Sequence, residues 1–557
     1  MDRWQIAAIA VAVGLLAASL YLRPPATVKP VQEQPAKSAP IAEERARVVE
    51  PATPEMPASG AGQELLTLTN DAVEIRVSDV GGRIDGVALL QYRATVDPAS
   101  GPVQLVTASS RGAMFLFLGP DALRSLEAAP STVVTRGPRE VELKATHAGV
   151  TVTRHLELDE SGYGGRMTVS IANASGETLH PKLELVFYGQ ERPASAPDHF
   201  PHYSLVASVD GSVKRMPVTG IGSTGFVGSL LGRGPPTGAA YPSPVEWVGV
   251  DSQYFLLAAV AQNSQEASAF EGPLGADFGQ ASLRLQPFEV PAGTGVERSY
   301  RLYFGPKIES VVTAVDPELG RDIDAGWKFV RPLVAAFAAL LHWTHDHVVP
   351  NYGVAIILLT ILVRVLTYPL TQRSMQSMKK FSLIAPQMKE IQEKHANDRE
   401  KLQEELMKLY RQKGMNPLAA MGGGCVPMII QMPVMIALYF ALQTSIDLRH
   451  APFAFWIRDL SAPESFFAIA GVPIRLLPLL MGGSMLLQQR LSPAPNADPQ
   501  QRQMMTLMSV MFTFMFYQFP SGLVLYWFVS NLLGIAQQLL VNRAPAPPAT
   551  TRSETTA

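Results

Sequence analysis

An arginine inside an apolar segment of membrane-spanning length constrains this chain more than any other feature of its sequence. Residues 353–370 are almost wholly apolar, and Arg364 lies within them. A guanidinium keeps its proton in proteins, and at the centre of a bilayer it costs about 2.5–3.5 kcal/mol on insertion scales. Snorkelling of the long side chain toward Gln372 would compensate part of that cost. The alternative is a water-filled cavity lined by protein, for which other helices must supply polar groups.

Composition limits the class of protein that can carry this segment. A chain of 557 residues is too long for one hydrophobic core, and a net charge of -2 gives no bulk attraction to nucleic acid. The single cysteine, Cys425, excludes an internal disulfide and a thiolate metal cluster. The phosphate-binding pattern Gly-x-x-x-x-Gly-Lys-[Ser/Thr] is absent from the sequence. We therefore predict a multi-domain protein with no cofactor, no metal site and no specific nucleic-acid partner.

The first 62 residues have the composition of an export signal followed by a tether. Residues 6–22 are apolar and stop at Arg23. This pattern predicts an N-terminal transmembrane anchor at 1–23 or, alternatively, a cleaved signal peptide. Residues 24–62 are rich in Pro, Ala and Glu and cannot bury enough apolar surface to fold, so we predict a disordered linker outside the cytoplasm.

Residues 63–318 carry a strand-and-turn pattern. Short segments with two-residue alternation, such as 73–77 and 150–153, are bounded by Gly, Asp, Asn, Ser or Pro. Their number and spacing predict a large antiparallel β-sandwich. The five histidines of this region lack metal-ligand spacing, so we expect structural or solvated roles for them.

Residues 319–349 change to helical periodicity. Apolar residues recur at spacings of three and four from Ile323 to Leu341, which predicts an amphipathic helix at the membrane interface. The alternative is a final helix of the β-sandwich. Together with the linker, this helix would be the only connection between the sandwich and the later membrane segments.

Residues 350–543 alternate apolar spans with polar connections. The segment 371–418 has ten Lys or Arg against six acids, so the positive-inside rule makes the predicted helical hairpin 372–418 cytoplasmic. Asn397 and Glu400 would form a capping box within it. Counting spans from the hairpin places the tail 544–557, predicted to be disordered, in the cytoplasm. The predicted spans are 353–371, 425–445, 474–489, 504–519 and 521–541.

These spans contain amide and hydroxyl side chains, which are costly when they face lipid. Some of them must therefore turn inward, toward Arg364. No span has a His, Asp or Glu in its interior, which argues against an intramembrane enzyme. The polar side chains include Gln431, Gln488, Tyr526, Ser530, Asn531 and Gln537.

Short sequence runs across residues 350–543 resemble one known family. They are Val-Arg (363–364) with Tyr-Pro-Leu-Thr (368–371), Asn-Pro-Leu (416–418), Ile-Gln-Met-Pro (430–433), Ala-Pro-Phe-Ala with Trp-Ile (451–457), Asp-Leu-Ser (459–461), and Phe-Pro-Ser-Gly-Leu-Val-Leu-Tyr with Ser-Asn (519–531). Their order and spacing resemble the YidC-type membrane protein insertases. The preceding anchor and β-region resemble the Gram-negative branch of that family, which has a large periplasmic domain.

The resemblance implies a fold, a location and a set of partners. The fold would be an all-β periplasmic sandwich plus an α-helical transmembrane core of five spans, with one N-terminal transmembrane helix. The protein would be a multi-pass protein of the bacterial inner membrane with its C-terminus in the cytoplasm. Implied partners are nascent membrane proteins, the Sec translocon, membrane lipids, and the ribosome and targeting factors at the cytoplasmic loops.

The resemblance also implies a function without catalytic residues. The chain would be an insertase and chaperone that passes client transmembrane segments from the cytoplasm into the inner membrane, alone or with the Sec translocon. A secondary transporter or channel for a small solute is the alternative, although the broken-helix repeats expected of a transporter are not evident. The implied hydrophilic groove contains Arg364, Thr360 and Gln431, to which we add Tyr526. The implied hydrophobic slide contains Met435, Met515 and Trp527.

Overall fold

The chain folds as a β-rich domain followed by a helical domain. The computed structural model describes residues 64–106, 114–120, 122–127, 129–190, 203–218, 238–274, 278–322, 329–395, 398–412, 426–469, 472–491 and 499–543. We call the described residues between 64 and 322 the β-domain and those between 329 and 543 the helical domain. The predicted anchor 1–23, linker 24–62 and tail 544–557 lie outside the described residues.

Two antiparallel sheets form the β-domain. The strands are β1 (Leu65–Thr69), β2 (Val73–Ser78), β3 (Ile84–Arg93), β4 (Pro102–Val106), β5 (Met114–Phe117), β6 (Thr132–Arg136), β7 (Glu140–His147), β8 (Val150–Leu158), β9 (Gly164–Asn173), β10 (Glu184–Gln190), β11 (Ser204–Val209), β12 (Ser212–Pro217), β13 (Ala239–Tyr241), β14 (Val245–Asp251), β15 (Phe255–Ala261), β16 (Ala267–Pro273), β17 (Phe278–Leu285) and β18 (Gly295–Pro306). Among the described residues, the first sheet has nine strands, in the order β1-β2-β3-β5-β10-β17-β16-β13 with β4 paired to β3. The second also has nine, in the order β12-β11-β14-β15-β18-β9-β8-β7-β6.

The sheets pack face to face, which confirms the predicted sandwich. In β8 every second residue, from Val150 to Leu158, is buried, as expected for a strand with one face toward a core. Strand β14 of the second sheet packs against β16 and β17 of the first. Trp247, Tyr303 and Phe304 are fully buried in a hydrophobic cluster that contains residues of both sheets.

Two of the described helices lie in the β-domain, and seven lie in the helical domain. They are α1 (Ala122–Glu127), α2 (Glu309–Val315), α3 (Arg331–His347), α4 (Tyr352–Lys394), α5 (Arg399–Gln412), α6 (Val426–Thr444), α7 (Leu476–Leu491), α8 (Pro499–Phe516) and α9 (Ser521–Arg543). A short hairpin, β19 (Phe467–Ile469) with β20 (Val472–Ile474), precedes α7. By length and composition, two of the described helical segments could cross a membrane, Tyr352–Gln376 and Ser521–Arg543, and Gln503–Phe516 is a shorter apolar helix.

Helix α4 differs from the predicted division between a span and a hairpin. It is one helix of 43 residues that continues through residue 372 into the first half of the hairpin. Pro369 and Pro386 lie inside it without ending it. Its start is capped by Asn351, whose Oδ1 accepts a hydrogen bond from the Val354 backbone N–H at 3.1 Å. Hydrophobicity marks where lipid contact would end, whereas the helix itself continues wherever its backbone hydrogen bonds are maintained.

One further boundary corrects the sequence analysis, and a capping contact is added to it. Residues Phe467–Ile469 and Val472–Ile474 pair as strands, so the helix of the predicted span 474–489 is the 16-residue α7, which begins at Leu476. The capping box predicted from Asn397 lies outside the described residues. Instead, Asp398 Oδ1 accepts from the Lys401 backbone N–H at 3.1 Å at the start of α5. An aspartate satisfies a free helix N–H as well as an asparagine does.

The predicted amphipathic helix at 319–349 is only partly described. A 3₁₀ turn, Pro317–Asp322, ends the β-domain, residues 323–328 lie outside the described part, and α3 follows. The buried residues Phe337 and Leu341 of α3 belong to the hydrophobic cluster of the helical domain. The alternative of a final helix of the β-sandwich is therefore not supported for α3.

The β-domain contacts the helical domain directly, which corrects the expectation that only the linker and one helix join them. Ile446, in the turn after α6, is buried in the hydrophobic cluster of the β-domain. The Arg449 guanidinium lies over the Phe255 ring, 5.8 Å from its centroid. Gln253 Nε2 donates to the Gln443 carbonyl at 3.3 Å. The partners are far apart in the chain, so no local sequence pattern could reveal this contact.

A histidine ion pair links α3 to the same turn. His342 Nε2 lies 2.5 Å from Asp447 Oδ2, and His342 Nδ1 lies 2.7 Å from the Ala338 carbonyl. Both ring nitrogens therefore face oxygen atoms, an arrangement that suits the protonated imidazole. The hydrogen bond to Asp447 raises the pKa of His342 above its usual range.

We expect this link to weaken as the pH rises. Because the folded pKa of His342 is raised, the pair stabilises the folded state fully below the unfolded pKa of about 6.5 and loses that contribution as the pH rises through the folded value. Solvent screening of these half-exposed side chains limits the contribution to below about 1 kcal/mol. Thermal unfolding of the full chain in detergent at about pH 5 and about pH 9 measures it. Asp447→Asn should lower the midpoint only at the acidic pH, and equal lowering at both would contradict the assignment.

Candidate functional site

Arg364 lies at the contact between α4 and α9. Its Nε donates to Ser530 Oγ at 3.1 Å, and its Nη2 donates to Ser530 Oγ at 2.8 Å and to the Ser530 carbonyl at 2.6 Å. The guanidinium thus reaches sideways to the last helix. Gln372 is bound elsewhere, because its Oε1 accepts from Gln537 Nε2 at 3.3 Å. This geometry does not support snorkelling of Arg364 toward Gln372.

A series of polar contacts joins α4 to α9 along their length. After the Arg364 contact, Gln537 Nε2 donates to Thr371 Oγ1 at 3.0 Å. Further on, Lys379 Nζ donates to two backbone carbonyls near the C-terminus of α9 at 2.9 and 3.0 Å. Residue numbers rise together on both helices, so α4 and α9 run parallel. A contact every seven or eight residues of α4 keeps the polar side chains on one helical face.

The other side of α9 meets α7. Asn531 Nδ2 donates to Ser484 Oγ at 3.0 Å. One turn after Ser530, Gly534 has no side chain where two polar groups approach. A Cβ at Gly534 would lie 3.4 Å from Arg364 Nη2 and 2.9 Å from Gln488 Nε2. The glycine therefore leaves room for the amide of α7 to approach α9 beside the guanidinium of α4.

The structure brings two other predicted groove residues together. Gln431 Nε2, on α6, donates to the Tyr526 hydroxyl at 2.5 Å. Tyr526 precedes Ser530 by one helical turn, so both side chains lie on one face of α9. Thr360 precedes Arg364 by one turn of α4, but it is fully buried and its hydroxyl donates to the Ile356 carbonyl at 2.6 Å.

The predicted slide residues lie on three helices. Met435 on α6 is half-buried, and Met515 on α8 is exposed. Trp527 on α9 is half-buried, and its ring centroid lies 4.8 Å from that of Phe516. The sequence analysis missed that Met515 belongs to a longer exposed stripe on α8. That stripe consists of Met504, Met508, Met511 and Met515, at spacings of four, three and four.

Sequence reasoning named Ser530 and Gln488 only as polar residues within spans. One signal in the sequence could have singled out Ser530. Its spacing of four from Tyr526 places it on the face of α9 that carries a predicted groove residue. No group of three or more His, Cys, Asp or Glu that could hold a metal ion occurs among the residues that the structure describes.

The chain combines a β-sandwich with a helical domain in which an arginine is bound between apolar helices. These features define a membrane protein with a β-rich domain and a polar site among its helices. The family model described as the YidC periplasmic domain matches residues 65–340, and that described as 60Kd inner membrane protein matches residues 343–547. This chain belongs to the YidC family of membrane protein insertases. It is accordingly an inner-membrane protein with a periplasmic domain, and it belongs to a family of insertases rather than enzymes.

Individual relatives are similar over most of their length. A membrane protein insertase YidC of Syntrophobacter fumaroxidans is 36% identical over 489 residues, which cover 83% of each chain. That of Geotalea daltonii is 30% identical over 565 residues, covering 98% of this chain and 99% of the relative.

Two solved structures are also similar. A crystal structure of an active YidC insertase has a TM-score of 0.35 and 18% identity, covering 86% of this chain and 92% of its own. A putative aldose 1-epimerase from Escherichia coli K12 has a TM-score of 0.31 and 11% identity, covering 44% of this chain and 99% of its own.

Proposed function

We propose that this insertase passes client transmembrane segments into the inner membrane through a hydrophilic groove at Arg364 and Gln431, with the buried side chains of Tyr526 and Thr360 in its wall. One observation carries the proposal. The guanidinium of Arg364 is half-buried between apolar helices, and Nη1 has no hydrogen-bond partner among the residues that the structure describes. A donor that has no described partner and keeps its positive charge is suited to a polar or acidic segment in transit.

The groove lowers the barrier for a short polar segment that must cross the membrane. Such a segment loses its hydrating water in lipid, and each backbone group left without a hydrogen bond then costs roughly several kcal/mol. Partial hydration and the donors of Arg364 and Gln431 replace some of the lost hydrogen bonds. Burial of the apolar client helix in lipid supplies the driving force. The residues bind and orient the client, and no covalent step is involved.

The slide is the surface along which the apolar part of a client leaves the groove. Met435, Met515 and Trp527 form it, and we extend it along the exposed methionines of α8. Methionine is unbranched and polarisable, so it adapts to apolar side chains of different shapes. Such adaptability suits a protein that accepts clients with unrelated sequences.

The topology and the partners belong to the same proposal. Five core spans follow one N-terminal anchor, with the hairpin 372–418 and the C-terminus in the cytoplasm, as the ten basic residues against six acids of segment 371–418 support. The cytoplasmic loops would meet the ribosome and targeting factors. The Sec translocon would be an optional partner, and lipids would surround the spans.

Photo-crosslinking from α8 tests the proposed path. A photoreactive residue at Met515 should crosslink a stalled nascent client, because that side chain lies on the slide and is exposed. Leu366 is the control: it is also exposed, and its position two residues after Arg364 places it on the opposite face of α4. It should crosslink lipid and little client. Equal client crosslinking from both positions would contradict the groove-and-slide path and favour general contact with the chain.

A further inference from the structure

We propose that Ser530 is the positioning residue of Arg364, holding one edge of the guanidinium so that the opposite edge faces the client. This inference rests on the proposed function. It adds Ser530 to the groove as the residue that holds the charged side chain in place. Ser530 is buried, and its hydroxyl and carbonyl together accept all three hydrogen bonds that Arg364 donates within the described residues.

The geometry fixes the orientation of the guanidinium. Its donors form a rigid planar fork, in which Nε and Nη2 share one edge. Both of these atoms are bound to Ser530, so the fork cannot rotate about its own plane without breaking the contacts. Nη1 lies on the other edge and binds no described residue.

Gly534 lies beside this contact. In an α-helix the carbonyl of residue 530 points toward residue 534, four positions later. A Cβ at residue 534 would lie 3.4 Å from Arg364 Nη2, an ordinary van der Waals distance, and 2.9 Å from Gln488 Nε2. The bond from Arg364 Nη2 to the Ser530 carbonyl at 2.6 Å is therefore fixed by Ser530, and the glycine leaves room for the neighbouring amide of α7.

Ser530 also anchors the arginine without neutralising it. A hydroxyl and a carbonyl carry no net charge, and no ion pair of Arg364 with a carboxylate occurs among the described residues. The guanidinium therefore keeps its full field, which acts strongly in surroundings of low dielectric constant. An aspartate at this position would bind the same edge but cancel the charge.

The test compares clients that differ only in the charge of the translocated tail. One client has an acidic tail, and in the other the acidic residues of that tail are replaced by Asn and Gln. Insertion of each client is measured in proteoliposomes that contain equal amounts of the wild type or of a variant. Ser530→Ala removes the two hydroxyl contacts, so we expect the acidic-to-neutral insertion ratio to fall about fivefold. Ser530→Thr keeps the hydroxyl and should restore the ratio, whereas Ser530→Asp should abolish the preference for acidic tails.

A neighbouring polar contact supplies the control. Asn531→Ala breaks the contact with Ser484 of α7 and touches no atom of Arg364, so it should change both clients by the same factor. If Ser530→Ala lowers insertion of both clients by the same factor, Ser530 has only a structural role and the inference is wrong. If Arg364→Ala itself leaves the ratio unchanged, the proposed groove is wrong. If Arg364→Ala lowers the ratio and Ser530→Ala does not, only the positioning role is lost.

Discussion

Arg364→Ala is expected to lower insertion of a client with an acidic translocated tail by about tenfold or more, and that of a neutral client much less. Arg364 is the one positive charge within the predicted span 353–371, and it lies at the contact between α4 and α9. Removing it takes away the attraction for the tail, and it also removes a burial cost, so the protein should still fold. Insertion of matched acidic and neutral clients into proteoliposomes measures the effect.

Arg364→Lys separates charge from geometry. Lysine keeps the charge but lacks the planar fork that binds Ser530 at two atoms. It should therefore insert the acidic client better than Arg364→Ala does and less well than wild type. Leu366→Ala, on the exposed opposite face of α4, is the control and should change neither client. Equal insertion of both clients by wild type and by Arg364→Ala would refute the role of charge in the groove, although the slide could still account for insertion.

Gly482→Ala is expected to destabilise the helical domain by about 1–3 kcal/mol through overpacking. Helix α7 approaches α8 so closely at this point that a Cβ on Gly482 would lie 2.1 Å from Thr513 Oγ1 and 2.9 Å from its Cγ2. Thr513 is β-branched, and its hydroxyl donates to the Ser509 carbonyl at 2.9 Å, so it has little freedom to move aside. Small residues at close helix crossings are typical of membrane helices. The thermal unfolding midpoint of the full chain in detergent measures the loss.

The next residue provides a matched control. A Cβ at Gly483 would meet nothing within 4 Å, so Gly483→Ala has the same gain in helix propensity without the clash. Its midpoint should stay level or rise. Thr513→Gly combined with Gly482→Ala should recover part of the lost stability, because the clashing atoms are then absent. If Gly482→Ala and Gly483→Ala behave alike, α7 and α8 do not pack as closely as the structure shows.

Local pattern and hydrophobicity were sufficient for several features of the chain. The two-residue alternation of β8 predicted a sandwich strand, because a strand with one buried face needs apolar residues at every second position. The solvation cost of Arg364 predicted a polar environment within the apolar helices. The short runs around residues 430–433 and 519–531 identified the family and, through it, predicted that Gln431 belongs to a groove, to which we added Tyr526. The structure shows these two side chains in contact. Whether clients pass that groove is still a prediction.

No local sequence pattern predicted the contacts between segments that are distant in the chain. The sequence indicates that polar side chains of the spans turn inward. Which of them meets Arg364 depends on the rotation and depth of α4 and α9. Side-chain packing along both helices sets that rotation and depth. Ser530, 166 positions away, makes the contact. Ile446 lies in the β-domain cluster for the same reason, since hydrophobicity predicts its burial and not the domain that buries it. A residue's environment follows from its own chemistry, whereas its partner follows from how the whole chain packs.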